Sequence, residues 1–299
     1  MTNKKKQHKS PMKKYTVKQF MDDFPNDDAC LEWLKNYRYP TGIFCKNCQE
    51  VTPHYPIKSR RSYSCQNCGN HVHPTANTIF HKSTTPLTTW FYVIYLMAQT
   101  RGGISAKQVE RETGVTYKTA WRMCNLIRSK LDEKSDPFGG EVEIDDSYFG
   151  GKRKGKRGRG ADGKTPVLGI VERKGKIKAV AVPNVQAKTV KPYIESQVDK
   201  SANVYTDEFR PYNILPKLGY NHDKVLHGQK VYVVGNVHTN TIEGFWSLVK
   251  NGIRGVFDSV SPQHLQHYLN EYAFRYNHRD DVKPMFFSFL SRVGLVNLQ

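Results

Sequence analysis

Two Cys-x-x-Cys pairs near the N-terminus constrain this chain more strongly than any other feature. Cys45 and Cys48 form the first pair, Cys65 and Cys68 form the second, and sixteen residues separate the two pairs. Within each pair, one tight turn lets both thiolates reach the same ion, and two such turns complete a tetrahedral four-sulfur zinc site. The spacing therefore predicts a small zinc ribbon whose folding requires the metal.

The charge balance indicates a nucleic-acid partner. The chain has 299 residues, with 46 Lys and Arg against 27 Asp and Glu, which gives a formal net charge of +19. Such an excess attracts polyanions, of which nucleic acid is the commonest. No stretch approaches ~18 consecutive apolar residues, so we expect no membrane-spanning helix and no membrane partner.

Changes in the sequence pattern divide the chain into four segments. Residues 1–14 have the composition of a basic flexible tail, and residues 15–80 hold an amphipathic segment followed by the zinc ribbon. Residues 81–136 have a helical pattern, whereas residues 137–299 begin with a Pro- and Gly-containing linker and then alternate strands with helices. We therefore predict a multidomain protein in which two N-terminal modules precede a C-terminal α/β domain.

The helical segment contains a helix-turn-helix pattern. Ser105 and Thr116 are placed to cap two short helices, and Gly114 supplies the turn between them. An ordinary helical hairpin is the alternative interpretation, but the neighbouring zinc ribbon and basic domain favour DNA binding. The side chains expected to meet the major groove lie near the start of the second helix: Tyr117, Lys118 and Arg122.

Acidic side chains recur in separate parts of the C-terminal domain. The segments are residues 141–151 with Asp145, residues 203–208 with Asp207, and residues 238–250 with Asn240, Glu243 and Lys250. The last three side chains share one face of a predicted helix. Between the first two segments the pattern predicts two more strands and a helix, which gives the order β-β-β-α-β. Phosphodiester transfer uses two divalent cations roughly 4 Å apart, and hard Mg²⁺ prefers oxygen ligands such as these.

Longer motifs extend these patterns over most of the chain, from about Thr16 to Leu290. They are Phe24-Pro25 to Cys30, Arg38 to Cys48, Glu143 to Lys152, Tyr205 to Asp207, His238 to Lys250 and Glu271 to Arg279. Together they resemble the DDE-type insertion-sequence transposases that carry an N-terminal zinc ribbon, the insertion-sequence family fifteen-ninety-five (IS1595). The resemblance implies an RNase H-like, integrase-like fold for the C-terminal domain.

The resemblance also implies a set of ligands for two Mg²⁺ or Mn²⁺ ions. Asp145 and Asp207 match the first two ligands. The third is Glu243, because Glu243 and Lys250 keep the acid-to-lysine spacing of seven typical of DDE enzymes, or else Asn240 on the same face. The family's usual Asp-Glu pair is Asp145-Asp146 here, and strand alternation favours Asp145 as the ligand.

The activity that this resemblance implies is DNA transposition: metal-dependent cleavage at the ends of a mobile element and transfer of the 3′-hydroxyl into target DNA. The partners are double-stranded DNA, as terminal inverted repeats and target, and further copies of the chain in a homodimer or larger synaptic complex. The expected location is cytoplasmic and associated with the nucleoid. The alternatives are a retired transposase that acts as a DNA-binding regulator and an RNase H-like nuclease.

A basic loop follows the first acidic strand directly. Its position beside the reacting DNA favours phosphate contacts, although a solvated loop would have the same composition. Lys250, one turn beyond Trp246, is expected to touch a phosphate as well. The basic side chains of the loop are Lys152, Arg153, Lys154, Lys156, Arg157 and Arg159.

Overall fold

The computed structural model describes residues 14–150, 163–225 and 238–295. These residues form two compact units: the first holds those up to Leu131 and those from Asp280 onward, and the second runs from Asp132 to Arg279. Within the described ranges, every helix is too short or too polar to span a membrane.

Helices and strands follow the predicted pattern closely along the chain. The helices are α1 (Val17–Asp23), α2 (Asp27–Arg38), α3 (Leu87–Gln99), α4 (Ala106–Thr113), α5 (Tyr117–Ser129), α6 (Ala187–Gln197), α7 (Asn240–Gly252), α8 (Pro262–Asn277) and α9 (Met285–Val293). The strands are β1 (Ile43–Cys45), β2 (Glu50–Thr52), β3 (His54–Pro56), β4 (Tyr63–Cys65), β5 (His71–Val72), β6 (Glu141–Phe149), β7 (Thr165–Glu172), β8 (Ile177–Ala181), β9 (Asn203–Asp207) and β10 (Asn221–Val225).

The four predicted zinc ligands converge in the first unit. Strands β1 and β2 form one antiparallel pair, and β3, β4 and β5 form a second antiparallel sheet. The Sγ atoms of Cys45, Cys48, Cys65 and Cys68 all lie within 4.8 Å of one another. Because Zn–S bonds are about 2.3 Å long, a tetrahedral site separates its sulfurs by about 3.8 Å, and the structure fits that requirement.

An aromatic cluster forms the core of the helical part of the first unit. The C-terminal helix α9 contributes Phe286, whose ring stacks on Tyr15 with centroids 5.0 Å apart. The same ring meets Phe20 and Phe24 edge-on at 5.8 Å. The apolar positions of the predicted amphipathic segment are therefore buried, although that segment forms two helices with Pro25 between them.

The predicted pair of short helices around a glycine is present as α4 and α5. The Ser105 side chain accepts a hydrogen bond from Gln108 N, and Thr116 accepts one from Thr119 N, so both helices have their predicted caps. Gly114 between them has a φ of +72°, which only glycine adopts readily. The three side chains predicted to meet DNA are exposed at the start of α5: Tyr117, Lys118 and Arg122.

A five-stranded mixed sheet forms the centre of the second unit. Its strand order is β10-β9-β6-β7-β8, in which β6, β7 and β8 are antiparallel neighbours. Strand β9 runs parallel to β6, and β10 runs parallel to β9. Helix α6 packs on one face of the sheet, and helices α7 and α8 pack on the other. The predicted order of elements, β-β-β-α-β, is therefore present.

Side-chain amides of α8 cover the edge strand β8. Gln266 accepts a hydrogen bond from Ala181 N and donates one to Ala179 O, at 2.8 and 3.0 Å. Asn277 binds both backbone groups of Ile177, at 2.8 and 3.1 Å. An edge strand with unpaired backbone groups invites pairing with other chains, and these amides satisfy part of that edge.

Removal of the metal should unfold the zinc ribbon. Cys48→Ser removes one thiolate from a four-sulfur site, and structural zinc contributes on the order of 10 kcal/mol to folding in zinc-finger peptides. We expect the variant to lose its zinc, measured by release to a chromogenic chelator, and to become sensitive to proteolysis between β1 and β5.

Cys124→Ala is the matched control for this variant, because Cys124 is buried in α5 outside the cysteine cluster. It should keep zinc at the level of the unsubstituted chain. Full zinc retention in Cys48→Ser would contradict a four-cysteine site.

Candidate functional site

Asp145 and Asp207 lie at the same level of two neighbouring parallel strands. The last paired residues of β6 and β9 are Ile144 and Thr206, and each aspartate directly follows one of them. Paired residues on adjacent strands point to the same face of a sheet. Two carboxylates that are 62 positions apart in the sequence therefore come together through the pairing of β6 with β9.

The negative charges of two other acids, Asp146 and Asp207, act on the carboxyl group of Asp145. Burial, and then the negative charges of Asp146 and Asp207, raise the pKa of Asp145 to about 7 from an ordinary value of 3.8. A hydrogen bond from Trp246 Nε1 to Asp145 Oδ2, 3.1 Å long, acts in the opposite direction. A bound divalent cation would relieve this repulsion, because an adjacent positive charge stabilises the ionised form.

Trp246 reaches Asp145 because the neighbouring strand carries a glycine at the required position. Gly169 on β7 is the direct partner of Asp145 on β6. A Cβ atom at Gly169 would overlap the indole ring of Trp246 and would come within 2.8 Å of Ile242 Cδ1. Gly169 therefore provides the space in which helix α7 approaches the sheet and Trp246 orients the Asp145 carboxylate.

A second carboxylate on β6 holds the start of α7. Glu143 is fully buried, and its side chain accepts hydrogen bonds from Thr241 N at 2.9 Å and Ile242 N at 3.0 Å. The residue at the N-cap position, Thr239, provides no side-chain cap of its own. Glu143 therefore satisfies free N–H groups in the first turn of α7, where the helix dipole also favours a negative charge.

Arg173 compensates the charge of Glu143. Its Nε donates to Glu143 Oε1 at 2.7 Å, and its Nη2 donates to the backbone oxygen of His238 at 2.7 Å. The guanidinium also lies 4.3 Å from the ring centroid of Tyr205 on β9. This buried ion pair ties β6, the turn after β7 and the start of α7 into one arrangement.

The two candidates for the third ligand lie on the exposed side of α7. Glu243 accepts a hydrogen bond from Thr239 Oγ1 at 2.8 Å, and Asn240 is exposed at the first position of the helix. In the part of the chain that the structure describes, the cysteine cluster is the only group of three or more His, Cys, Asp or Glu side chains compact enough for one metal ion. Asp145 and Asp207 offer oxygen ligands suited to a hard divalent cation, but together with Glu243 they do not form such a compact group.

Asp146 and Lys250 occupy the places that strand and helix periodicity predicts. Asp146 lies on the opposite face of β6, buried, where Tyr212 Oη donates to it at 3.4 Å. Lys250 is half-buried on α7, with its Nζ 5.9 Å from the ring centroid of Phe149. Burial lowers the pKa of Lys250, and Asp145 acts to raise it. The six basic residues predicted to contact DNA in the loop after β6 lie outside the described residues.

Sequence reasoning missed the roles of Glu143, Arg173 and Trp246. The strand pattern did place Glu143 on the same face as Asp145, and that was the available signal. The partners of Glu143 are the residues of α7, 98 and 99 positions away, and no local motif connects the two segments.

Replacement of Glu143 should destabilise the second unit strongly. Glu143→Gln takes from the buried Arg173 its nearer anionic partner, and breaking a buried ion pair typically costs about 3 to 5 kcal/mol. Urea unfolding followed by tryptophan fluorescence measures the change. Glu141→Gln is the matched control, because the Glu141 side chain is 41% exposed and 3.6 Å from Arg173; we expect a change below about 1 kcal/mol. Equal effects of the two variants would contradict the capping role of Glu143.

The raised pKa of Asp145 predicts a specific pH dependence of stability when no divalent cation is added. Between pH 3.8 and about 7 the folded state keeps a proton at Asp145 that the unfolded chain releases. The folded state then binds more protons, so the contribution of Asp145 to the free energy of unfolding falls as pH rises through this range. Asp145→Asn should remove that fall, and its stability relative to the unsubstituted chain should increase by at least about 1 kcal/mol by neutral pH. A difference that stays constant across the range would refute the raised pKa.

Two family models match this chain. The model described as an ISXO2-like transposase domain, of the IS1595 type, matches residues 137–277, which include β6 to α8. This range therefore contains Asp145, Asp207 and Glu243, called the acidic site below. The model described as a transposase zinc-ribbon domain matches residues 25–71, which include all four clustered cysteines.

Individual relatives agree with these two models. An uncharacterized protein in transposable element ISH50 of Halobacterium salinarum is 27% identical over 271 residues, covering 84% of this chain and 91% of the relative. An uncharacterized transposase-like protein of Haemophilus influenzae is 32% identical over 107 residues, covering 36% of this chain and 85% of the relative.

Among solved structures, a simian T-cell lymphotropic virus intasome in complex with a PP2A regulatory subunit aligns over 62% of this chain and 65% of that chain. The sequence identity is 11% and the TM-score is 0.30, too low a similarity to support a fold argument. The family assignment therefore follows from the two models and the two relatives: this chain belongs to the IS1595 family of transposases.

Proposed function

We propose that this chain is an active DNA transposase that cleaves the ends of a mobile element and transfers the resulting 3′-hydroxyl into target DNA. The observation that carries the proposal is the pair Asp145 and Asp207, which lie on adjacent parallel strands. Burial, and then the charges of Asp146 and Asp207, raise the pKa of Asp145 to about 7. Pairs of acids with perturbed pKa values are typical of functional sites.

The topology of the second unit supports an RNase H-like assignment for the catalytic domain. Three antiparallel strands, β6 to β8, are followed by α6 and then by β9, which returns to the other side of β6. This arrangement brings an acid from the first strand beside an acid from the fourth. Helix α7, which carries Glu243, packs on the face of the sheet to which Asp145 points.

In this proposal Asp145 and Asp207 hold two Mg²⁺ or Mn²⁺ ions, and Glu243 or Asn240 completes the ligand set. When bound, such ions stabilise the charges that develop on the attacking and leaving oxygens of an in-line phosphoryl transfer. Trp246 keeps the Asp145 carboxylate in one orientation through its 3.1 Å hydrogen bond. Glu143 and Arg173 keep α7, and with it the third ligand, against the sheet.

Recognition of the element ends is assigned to the first unit. We propose that α4 and α5 form a DNA-binding helix-turn-helix and that the exposed side chains of α5 contact the major groove. Two element ends must be held together during transposition, so we propose a homodimer or a larger synaptic complex. A cytoplasmic, nucleoid-associated location follows from the DNA substrate. The proposed DNA contacts are Tyr117, Lys118, Arg122 and Lys250, with the basic residues between 152 and 159.

The test uses a plasmid that carries the coding sequence with its native flanking DNA on both sides. Purified full-length protein with Mn²⁺ or Mg²⁺ should cut at the element ends and join the new 3′ ends to target DNA, and sequencing of the junctions detects both steps. Asp145→Asn should lower the yield of both products by at least about a thousandfold, as expected when a group that acts in the transition state is removed.

Asp146→Asn is the matched control, because it makes the same substitution one residue away on the opposite face of β6. It should retain most of the activity. DNA binding without cleavage by the unsubstituted protein would support the alternative of a retired regulator, and cleavage without joining would support a nuclease. Equal loss of activity in the two variants would exclude Asp145 as the specific ligand.

A further inference from the structure

A small pocket with a concentrated positive charge lies beside the acidic site. Its volume is about 90 Å³, and its lining includes Phe149, Gly150 and the basic residues Lys164, Lys250 and Arg254. One carboxylate, Asp258, also lines it.

Separate parts of the second unit supply the three cations. Lys164 directly precedes β7, Lys250 lies in the last turn of α7, and Arg254 lies in the π-helical turn Ile253–Phe257 that continues α7. A close backbone contact brings the end of β6 to the start of β7: a Cβ atom at Gly150 would lie 2.8 Å from Gly163 O. The glycine at position 150 thus lets Lys164 approach the pocket.

The three cations repel one another, and the pocket is within electrostatic reach of the acidic site. Burial lowers the pKa of Lys250, and the positive charges of Arg254 and Lys164 lower it further, whereas Asp145 acts to raise it. Asp258 balances one of the three positive charges, so a net positive charge remains in the pocket. An anion would relieve this repulsion, as a cation would relieve that between Asp145 and Asp207.

We propose that Lys164, Lys250 and Arg254 form a binding site for one backbone phosphate of DNA, next to the phosphodiester that reacts at Asp145 and Asp207. The proposal rests on the proposed function for the identity of the polyanion, and it adds Lys164 and Arg254 to the DNA-binding surface. The phosphate held here fixes the register of the strand, so that the reacting phosphodiester lies at the two aspartates.

The experiment measures DNA binding rather than reaction. Full-length protein is titrated into a fluorescently labelled mixed-sequence duplex by anisotropy, at several salt concentrations and without added divalent cation. Each phosphate contact contributes about 0.9 to the slope of log K against log salt. Lys164→Gln and Arg254→Gln should each reduce that slope by about 1 and weaken binding by about tenfold at moderate salt. Arg254→Lys, which keeps the charge, should restore most of the slope.

Lys176→Gln is the matched control, because it removes the same charge from an exposed lysine in the turn between β7 and β8. This turn is at the other end of β7 from Lys164, roughly 25 Å away along the strand. The control should leave the slope close to that of the unsubstituted protein. If all three glutamine variants change the slope equally, the pocket makes no specific contact and the proposal is wrong.

The outcome separates this proposal from the proposed function. If the unsubstituted protein joins DNA while Lys164→Gln and Arg254→Gln bind with an unchanged slope, the phosphate site is wrong and the transposase chemistry stands. If the slopes fall as expected and no cleaved or joined DNA forms, the phosphate site stands and the chemistry is wrong. Thermal unfolding of each variant confirms that it is folded, and Lys164→Gln tests the site by itself if Arg254→Gln does not fold.

Discussion

The buried ion pair of Glu143 and Arg173 is the interaction on which the rest of the site depends. Burying each charge costs several kcal/mol, so the pair stabilises the fold only if its remaining hydrogen-bonding groups are satisfied. Glu143 meets that condition by accepting from Thr241 and Ile242 in the first turn of α7, and Arg173 meets it by donating to His238 O. The pair is therefore inseparable from the position of α7, because a shift of the helix would take from the buried carboxylate its two backbone donors, Thr241 N and Ile242 N.

The position of α7 then determines the electrostatics of the acidic site. With its first turn fixed on Glu143, the helix presents Trp246 to Asp145 one turn later and Lys250 another turn beyond. The site thus contains two regions where like charges lie near one another, one of carboxylates and one in which three cations outnumber a single carboxylate, Asp258. Each is complementary to one part of the proposed substrate complex, the metal ions and the DNA phosphates respectively. If both bind as proposed, the repulsion present in the free protein is relieved, which would favour assembly with DNA and metal together.

Features that depend on neighbouring residues could be predicted from the sequence, and features that depend on distant ones could not. The cysteine spacing, the caps Ser105 and Thr116, and the alternation along β6 are local, and each is present in the structure. The bond between Trp246 and Asp145 joins positions 101 apart. Its requirement for a glycine at position 169 becomes visible only when β7 is paired with β6. The three cations of the proposed phosphate site likewise come from two separate segments of the chain. The sequence therefore indicated Lys250 but not Lys164 or Arg254.

The N-terminus of helix α7 influences whether Asn240 or Glu243 is the better third ligand for the proposed divalent cations. The first turn of α7 carries a partial positive charge from its aligned peptide dipoles, which disfavours a cation there unless a negative charge accompanies it. Asn240 brings no charge, whereas Glu243 brings one and gives up its hydrogen bond from Thr239, worth about 1 kcal/mol. The attraction between a carboxylate and a divalent cation at a half-buried site exceeds that cost. We therefore propose Glu243 rather than Asn240 as the residue that would complete the ligand set of Asp145 and Asp207 for a divalent cation.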